Sequence, residues 1–374
     1  MPITLNGDTG IQTPMYNGTI TANAVTPSVN MKNRIINGAM TIDQRNAGAS
    51  VTVASSRNYY LDRFTVFAQT GSKLTIQQNA GSVTPPAGFT NYAGITVSTA
   101  VSPLGAGDQY MFEQQIEGYN VADLNFGSAN AKTITLSFWV RSSLTGTFAG
   151  SISNGAEDRT YPFTYTISST NTWTQASVTI AGDTTGTWLT TNGSGLRLKL
   201  NLGTGTTYSG TANAWTSSAY ITSVTGTVNL INTVNATWYI TGVQLEVGST
   251  ATSFDYRPYG TELALCQRYL PAYVYASASG SEMIGWARGG SAASIATAQI
   301  VFPVTARVPP TGISVTGSSY AVSGLAFTTV TFGSSSTNVG QIDLSGGSGM
   351  TVFYMYTFTA GATGSKILFT GCEL

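Results

Sequence analysis

Short stretches in which apolar and polar residues alternate constrain the fold of this chain more than any other feature. They read YMFEQQIE at Tyr110–Glu117, KTITLSFWVRS at Lys132–Ser142 and LRLKLNL at Leu196–Leu202. Because successive side chains of a strand point to opposite faces, each stretch predicts a β-strand with one buried face. Turn-forming clusters such as Thr84–Pro86 and Asn192–Gly195 separate these strands. No long amphipathic helical pattern accompanies them, so the sequence predicts a β-sandwich or barrel.

The composition agrees with an all-β protein that has little charge. The length of 374 residues suggests two or three domains. Hydrophobic residues make up 42% of the chain, enough for sizeable cores, and charged residues only 9%. Ordinary soluble domains carry about 25% charged residues. The formal net charge is +0. Since no long basic run is present, the sequence predicts neither nucleic-acid binding nor attraction to an anionic membrane. No apolar run is long enough for a membrane span, and insertion into a membrane is not expected.

The absence of histidine from the sequence excludes several kinds of catalytic and metal site. Serine or cysteine nucleophiles activated by histidine are not available, and neither are histidine-bound zinc or iron. Carboxylate chemistry would need a close acidic pair. Glu157 and Asp158 are the one adjacent acidic pair, but neighbours on a strand point to opposite faces. We expect them in a solvated turn after Asn154 and Gly155.

The stretch Trp238–Tyr269 combines three kinds of local structure. Its first part, WYITGVQLEV, alternates as a strand and is interrupted by Gly242. An extended segment with Phe254 and Tyr256 follows and stops at Pro258. We predict a short helix over Glu262–Tyr269, because Leu263, Cys266 and Leu270 would lie on one side of it.

This arrangement resembles a segment of bacteriophage tail-fibre and receptor-binding proteins, where it ends a jelly-roll domain similar to a carbohydrate-binding module. The resemblance continues upstream, in the expected order, through Asn33–Gln44 (NRIINGAMTIDQ), Tyr60–Phe64 (YLDRF), Phe112–Gly118 (FEQQIEG), Lys132–Ser142 and Asn171–Ile180 (NTWTQASVTI). The predicted fold is therefore all-β: a jelly-roll β-sandwich followed by a smaller C-terminal β-sandwich, with a short extended N-terminal segment. The predicted domains are residues 1–32, 33–258 and 259–374.

The N-terminal segment, residues 1–32, is polar and punctuated by glycine and proline. It has no signal-peptide core and cannot bury a core by itself. It is similar to short pieces by which phage fibres attach to other virion proteins. We favour such an anchor over a flexible tail, because Ile3, Leu5, Ile11 and Ile20 are more apolar than typical disorder.

Four aromatic residues are candidates for stacking on sugar rings: Trp188, Tyr208, Trp215 and Trp286. The first three lie near turns rich in glycine and threonine, and Trp286 lies in Met283–Gly289, which is interpreted as a loop. The alternative is that they pack in cores or subunit interfaces, where large aromatics usually lie. Trp139, Trp173 and Trp238 fall in family-like strands and are interpreted as structural.

Carboxylates and thiols give weaker hypotheses. Asp62, Glu117 and Glu246 could hold a structural calcium ion, as in jelly-roll modules, but ordinary ion pairs with Arg63 or Arg257 are the favoured alternative. Cys266 and Cys372 are expected to be two buried thiols rather than a disulfide, because assembly is expected in a reducing bacterial cytoplasm. No metal site and no cofactor are predicted.

The resemblance implies a function without catalysis. We expect a fibre protein of the virion, assembled in the host cytoplasm, that forms a homotrimer and binds host-surface polysaccharide. Its N-terminal segment would attach it to other tail or capsid proteins. One alternative is a purely structural virion protein, such as a head fibre, a capsid decoration or a tail adaptor. A polysaccharide depolymerase is disfavoured by the missing histidine and by the lack of a 20–50-residue repeat.

Overall fold

The computed structural model describes residues 31–275, 282–316, 320–322, 324–360 and 365–374. It is an all-β structure with two sandwiches, as the sequence predicts. Apart from Met31 and Lys32, the predicted N-terminal segment lies outside the described residues. Among the described residues, no helix is long and apolar enough to cross a membrane.

The N-terminal sandwich consists of two six-stranded sheets, one ordered β1-β4-β5-β14-β7-β10 and the other β2-β3-β6-β11-β8-β9. Its strands are β1 (Val51–Thr52), β2 (Ser56–Leu61), β3 (Phe64–Ala68), β4 (Leu74–Gln78), β5 (Ala93–Val97), β6 (Gln109–Glu117), β7 (Ile134–Ser142), β8 (Gly146–Asn154), β9 (Thr160–Ile167), β10 (Thr174–Ile180), β11 (Ser194–Thr204), β12 (Ser209–Gly210), β13 (Ser223–Val224) and β14 (Thr237–Val247). The pairs within both large sheets are antiparallel, and β12 and β13 form a separate parallel pair.

The core of this sandwich follows the alternation of the sequence. Leu196, Leu198, Leu200 and Leu202 of β11 all point into it and are buried. The opposite face of β11 differs from the expectation, because Lys199 and Arg197 are not in open solvent. The segment at 220–222 covers that face, and Lys199 Nζ donates to the Ile221 carbonyl oxygen at 3.2 Å. The alternation therefore predicts the strand, but it does not predict that the segment at 220–222 buries the polar face of the strand.

Strand β14 contains the interruption at Gly242 as a bulge. The pairing of β14 with β7 shifts between Thr241 and Gln244. Gly242 has φ +62°, a conformation that other residues rarely adopt, and a Cβ there would lie 2.6 Å from the Phe89 ring. Glycine is required at this position for both reasons.

The helix α1 (Tyr259–Gln267) follows the N-terminal sandwich and begins three residues before the predicted start. Cys266 and Leu270 are buried and Leu263 is half-buried, as predicted. Short 3₁₀ turns occur at Ala80–Ser82, Gly118–Asn120, Ala122–Leu124, Thr206–Tyr208 and Leu230–Asn232.

The C-terminal sandwich packs a three-stranded sheet, ordered β15-β24-β18, against a seven-stranded sheet, ordered β20-β19-β23-β16-β17-β22-β21. Its strands are β15 (Ala272–Val274), β16 (Glu282–Gly289), β17 (Ile295–Val301), β18 (Gly312–Thr316), β19 (Tyr320–Val322), β20 (Leu325–Phe327), β21 (Thr329–Ser335), β22 (Val339–Ser345), β23 (Met355–Ala360) and β24 (Lys366–Thr370). Met283–Gly289, interpreted from sequence as a loop, is instead most of β16. The loop interpretation is wrong: Ala287 is buried and Trp286 is exposed, which is the alternation of a strand with one face on the core.

The two ends of the N-terminal sandwich lie side by side. The Met31 backbone N–H donates to Asp255 Oδ2 at 2.8 Å, and the Asn33 N–H donates to the same oxygen at 3.2 Å. Arg257 Nη1 donates to the Ile35 carbonyl oxygen at 3.1 Å. The first and last described parts of this sandwich are therefore tied together by hydrogen bonds.

Candidate functional site

The outer face of the seven-stranded sheet carries a row of side chains that includes Trp286. Paired residues of an antiparallel sheet point to the same face, so the strand register identifies the members of this row. Trp286 pairs with Thr357 on one side and Gln299 on the other; Gln299 pairs with Gln341, and Gln341 with Ser334. We call Thr357, Trp286, Gln299, Gln341 and Ser334 the Trp286 row. It crosses five adjacent strands.

A second row lies next to the first, two residues away along four of the strands and three residues away along β21, where a bulge at Gly333 adds one residue. The same register places Met355, Arg288, Thr297, Asp343 and Thr331 side by side, and we call them the Arg288 row. The intervening residues, among them Ala287, Ala298 and Ile342, point inward to the core. Both rows therefore lie on the face turned away from the three-stranded sheet.

Polar groups connect the two rows at one end. Asp343 Oδ1 accepts hydrogen bonds from Thr297 Oγ1 and from Gln341 Nε2, each at 3.3 Å. A Cβ on Gly333 would lie 2.9 Å from Asp343 Oδ2 and from Gln341 Nε2. A side chain at position 333 would displace these groups, so glycine keeps this end of the face open.

Trp286 differs from the other five tryptophans in being mostly exposed, and from all but the half-buried Trp139 in having no acceptor for its indole N–H within the described residues. Its side chain is 56% exposed, and its indole N–H has no hydrogen-bond acceptor within the described ranges. By contrast, the indole N–H groups of Trp173, Trp188 and Trp215 donate to the backbone carbonyls of Thr84, Thr185 and Ala181, and that of Trp238 donates to the Tyr165 hydroxyl. Trp286 therefore offers a ring face and an uncommitted donor to a ligand.

An apolar segment borders the Arg288 row. Val352, Phe353, Tyr354 and Met355 are four successive large side chains, all exposed. Phe353 has φ +62°, unusual for an aromatic residue, and its ring centroid lies 5.5 Å from the Arg288 guanidinium carbon. This segment forms one rim of the face.

Trp188 and Trp215 lie together in the N-terminal sandwich. Their ring centroids are 5.5 Å apart with an interplanar angle of 88°, and both rings contact Phe126 edge to face. Both side chains are half-buried, and Trp188 lines a small cleft of about 190 Å³. Since both indole N–H groups donate to backbone carbonyls, this pair holds loops against the sandwich.

Tyr208 lies apart from that cluster. It ends the 3₁₀ turn Thr206–Tyr208, is half-buried, and its ring meets that of Tyr220 edge to face at 6.5 Å. The four predicted aromatics thus occupy three places, and only Trp188 and Trp215 are brought together. Whether any of them contacts sugar stays a prediction.

The three carboxylates considered for calcium each have protein donors. Asp62 accepts from the backbone and side-chain amides of Gln44, Glu117 binds Arg268 and Tyr269, and Glu246 accepts from Gln244 and Thr252. The suggested pairs of Asp62 with Arg63 and Glu246 with Arg257 are wrong: Arg63 binds Glu373, and Arg257 binds Glu262. Among the described residues, no three acidic, cysteine or histidine side chains gather around a possible metal position.

The two acidic residues Glu157 and Asp158, which follow Asn154 and Gly155, differ in burial. Asp158 is exposed as expected, but Glu157 is buried, so the expectation of a solvated turn is wrong for it. Burial raises the pKa of Glu157, but Lys199 and Arg197 outweigh this effect and lower it below the usual value. Glu157 Oε2 accepts from Lys199 Nζ at 2.7 Å. Its role is to neutralise buried cations.

Both cysteines are free and buried. Cys266 lies on the buried side of α1, in a cluster with Ile36, Ile42 and Tyr269, and burial raises its pKa well above the usual value. Cys372 lies in the core of the C-terminal sandwich, where burial raises its pKa to about 12.

The sequence interpretation missed Gln299, Gln341, Arg288 and Asp343. A signal was present, because Thr297, Gln299 and Val301 alternate with buried Ala296, Ala298 and Ile300. What the sequence alone could not give is the pairing of β17 with β16 and β22, which brings these side chains next to Trp286.

No protein-family model matches the sequence, and no curated protein matches it. Comparison with solved structures finds the enzymatically active domain of tailspike protein 4 from bacteriophage CBA120, at 13% identity and a TM-score of 0.29. The match covers 58% of this chain and 22% of the tailspike chain.

Carbohydrate-binding modules are found as well. A family 61 module in complex with β-1,4-galactotriose matches 58% of this chain and 99% of its own, at 8% identity and a TM-score of 0.30. The family 11 module from Clostridium thermocellum, in complex with a mixed-linked tetrasaccharide, matches 55% of this chain and 100% of its own, at 8% identity and a TM-score of 0.27.

Proposed function

We propose that this chain is a fibre protein of a bacteriophage virion that binds host-surface glycan through the outer face of its C-terminal sandwich. The observation that supports this most is Trp286: an exposed ring with an uncommitted N–H, set in a row of hydroxyl and amide side chains. A tryptophan ring stacks on the apolar face of a pyranose, while amides and hydroxyls exchange hydrogen bonds with sugar hydroxyls. Recognition sites commonly combine such an apolar surface with a few polar groups.

The groups on this face favour binding over catalysis. Hydrolysis of a glycosidic bond commonly needs two carboxyl groups flanking the bond. In the Trp286 and Arg288 rows, Asp343 is the single carboxylate, and it already accepts two hydrogen bonds. The proposed role is therefore adhesion.

The remainder of the proposal concerns the assembled particle. The N-terminal segment would attach the chain to other tail or capsid proteins, and three copies would associate into a homotrimer. A shallow face with one aromatic ring binds one glycan weakly. Several linked copies would then raise the overall affinity by about 10²–10⁴ when they engage one surface together.

Binding of the full chain to a panel of purified bacterial O-polysaccharides and capsular polysaccharides tests the proposal. We expect saturable binding to at least one of them, weakened about tenfold or more, or about 1.4 kcal/mol, by Trp286→Ala. Tyr119→Ala is the matched control, because Tyr119 is an equally exposed aromatic on the N-terminal sandwich. Equal binding by the Trp286 variant and the unaltered chain would refute the proposed site.

A purely structural virion role is the second candidate, and the exposed segment Val352–Met355 favours it. Contiguous exposed apolar side chains commonly mark surfaces that contact another protein. If this face packs against a second copy, Met355→Ser should reduce the oligomer seen by light scattering, and no polysaccharide should bind. Unchanged oligomeric state together with Trp286-dependent binding would exclude this alternative.

A further inference from the structure

We infer that the Trp286 row takes a single, uncharged, linear glycan chain lying across the strands, and that it contacts about four consecutive sugar residues. This inference rests on the proposed function and specifies the ligand of the same site. Two observations support it: the register of the five strands, and the division of the polar side chains on this face into those that already have hydrogen-bond partners and those that do not.

The direction in which the glycan crosses the sheet follows from the side chains that have no hydrogen-bond partner. Within the described residues, the Trp286 N–H, the Gln299 amide and the Ser334 hydroxyl have no hydrogen-bond partner, and all three lie in the one row. In the neighbouring Arg288 row, Asp343 already accepts from Thr297 and from Gln341 of the Trp286 row, and the Arg288 guanidinium packs on Phe353 while its N–H groups have no acceptor within the described residues. A ligand that contacts all three free groups of the Trp286 row must therefore run across the strands rather than along them.

The number of sugar residues that contact the row follows from the spacing between strands. Neighbouring strands are about 4.8 Å apart, so a row over five strands extends about 19 Å. A residue of an extended β-linked pyranose chain advances by nearly the same distance as one strand spacing. Successive sugars can therefore meet successive strands, with one stacked on Trp286 and others beside Gln299, Gln341 and Ser334.

The twist of the sheet restricts the form of the glycan. Adjacent strands rotate by about 20–25°, so the face turns by about 80–100° along the row. A single dissolved chain can follow this rotation, but the flat surface of a crystalline polysaccharide cannot. Hence we expect soluble glycan to bind and crystalline glycan not to bind.

The charges around the row favour a neutral ligand. The Trp286 row contains no charged side chain, and the next row contributes one positive and one negative group, Arg288 and Asp343. On the other flank, the paired residues Val301 and Val339 are apolar. A uronic acid or sialic acid chain would find no net positive field here.

The test uses the full chain and size-fractionated oligosaccharides prepared from the panel polysaccharide that binds best. We expect affinity to rise at least tenfold from two to four sugars and to change less than twofold from four to six. Gln341→Ala should weaken binding of the tetrasaccharide at least threefold while leaving the disaccharide within twofold, because the disaccharide is held by Trp286. Trp286→Ala should weaken all lengths.

Three results would overturn the inference: affinity independent of length, a loss with Gln341→Ala that is equal for both lengths, or a best ligand that is acidic. Each of these leaves the proposed function intact as long as polysaccharide binding still needs Trp286. If Trp286→Ala binds polysaccharide as well as the unaltered chain, the proposed function fails and the inference with it. Circular dichroism of each variant checks that the fold is retained.

Discussion

Glu373 places its carboxylate against the guanidinium of Arg63, with 2.5 Å between Oε2 and Nη1. The two residues belong to different sandwiches, and the Arg63 side chain is 1% exposed. Arg63 also stacks on the Tyr269 ring, with 3.5 Å between the guanidinium carbon and the ring centroid, and Arg45 pairs with the same carboxylate. This contact joins the C-terminal sandwich to the N-terminal sandwich through a nearly buried ion pair.

Glu373→Gln should therefore lower the free energy of unfolding by about 3–5 kcal/mol, because it leaves a buried guanidinium without its counter-charge. Asp123→Asn is the matched control: Asp123 pairs with Arg34 at 2.8 Å but is 46% exposed, and its loss should cost about 0–1 kcal/mol. Urea unfolding measures both. Similar losses for the two variants would contradict the assigned role of Glu373.

Truncation should lower the free energy of unfolding strongly at one tryptophan and hardly at all at another. Trp238 is fully buried and contacts Phe112 edge to face, so Trp238→Ala should cost about 3–5 kcal/mol through loss of burial and the cavity left behind. Trp286→Ala should change stability by less than about 0.5 kcal/mol, because the ring is mostly exposed. Thermal or urea unfolding of both variants checks this. A large loss for Trp286→Ala would mean that its ring supports the sheet rather than a ligand.

Trp188 and Trp215 should couple energetically without contributing to glycan binding. Their edge-to-face contact predicts a coupling free energy of about 0.5–1.5 kcal/mol in a double-mutant cycle of the two alanine variants. Both single variants should bind polysaccharide like the unaltered chain, because their indole N–H groups are committed to backbone carbonyls. Loss of binding with retained fold would instead restore this pair as a binding site.

Asp62 should make the fold less stable as the pH rises from about 4 to 6. Burial raises the pKa of Asp62 to about 6, although Arg45 and the Gln44 amides oppose this shift. In that window the folded protein keeps a proton that the unfolded chain has lost, so stability falls with rising pH by about 3 kcal/mol, at about 1.36 kcal/mol per pKa unit.

Asp62→Asn should remove this pH dependence of stability, since asparagine is neutral at every pH. Its side-chain N–H can donate to Gln44 Oε1 if the Gln44 amide rotates by half a turn. Urea midpoints at pH 4.5 and 7.5 measure the effect. Glu117, Glu157 and Asp183 act with the opposite sign, because their pKa values are lowered and their stabilisation is lost as the pH falls below about 4. An Asp62→Asn variant whose midpoints change with pH as in the unaltered chain would contradict the assignment.

The parts of the fold that depend on local pattern could be predicted from the sequence. The inward leucines of β11, the interruption at Gly242 and the buried side of α1 all follow from periodicity and from the freedom of glycine. The cover over Lys199 could not be predicted, because it depends on Ile221, which is 22 residues away and joined through an irregular segment. The burial of Glu157 likewise depends on its contact with Lys199, which is 42 residues away in sequence.

The candidate site was predictable only in part. The residue type of Trp286 is enough to make it a candidate, but its neighbours are set by hydrogen bonding between strands that are distant in sequence. Gln341 reaches Trp286 only through two successive pairings, first with Gln299 and then from Gln299 to Trp286. Nothing in the local sequence of β22 specifies that register, so the polar row emerges only from the structure.

The hydrogen bonds between Met31, Asn33 and Asp255 have a mechanical consequence. The chain enters and leaves the N-terminal sandwich at the same place. The sandwich therefore lies to one side of the path from residue 31 to α1 and adds nothing to the distance between them. In a fibre anchored at its N-terminus and held by glycan at the other end, tension would pass from Met31 to Asp255 and onward. The direct path of the load would then bypass the twelve strands of its two large sheets, and force would reach them only through contacts such as that of Arg63 with Glu373.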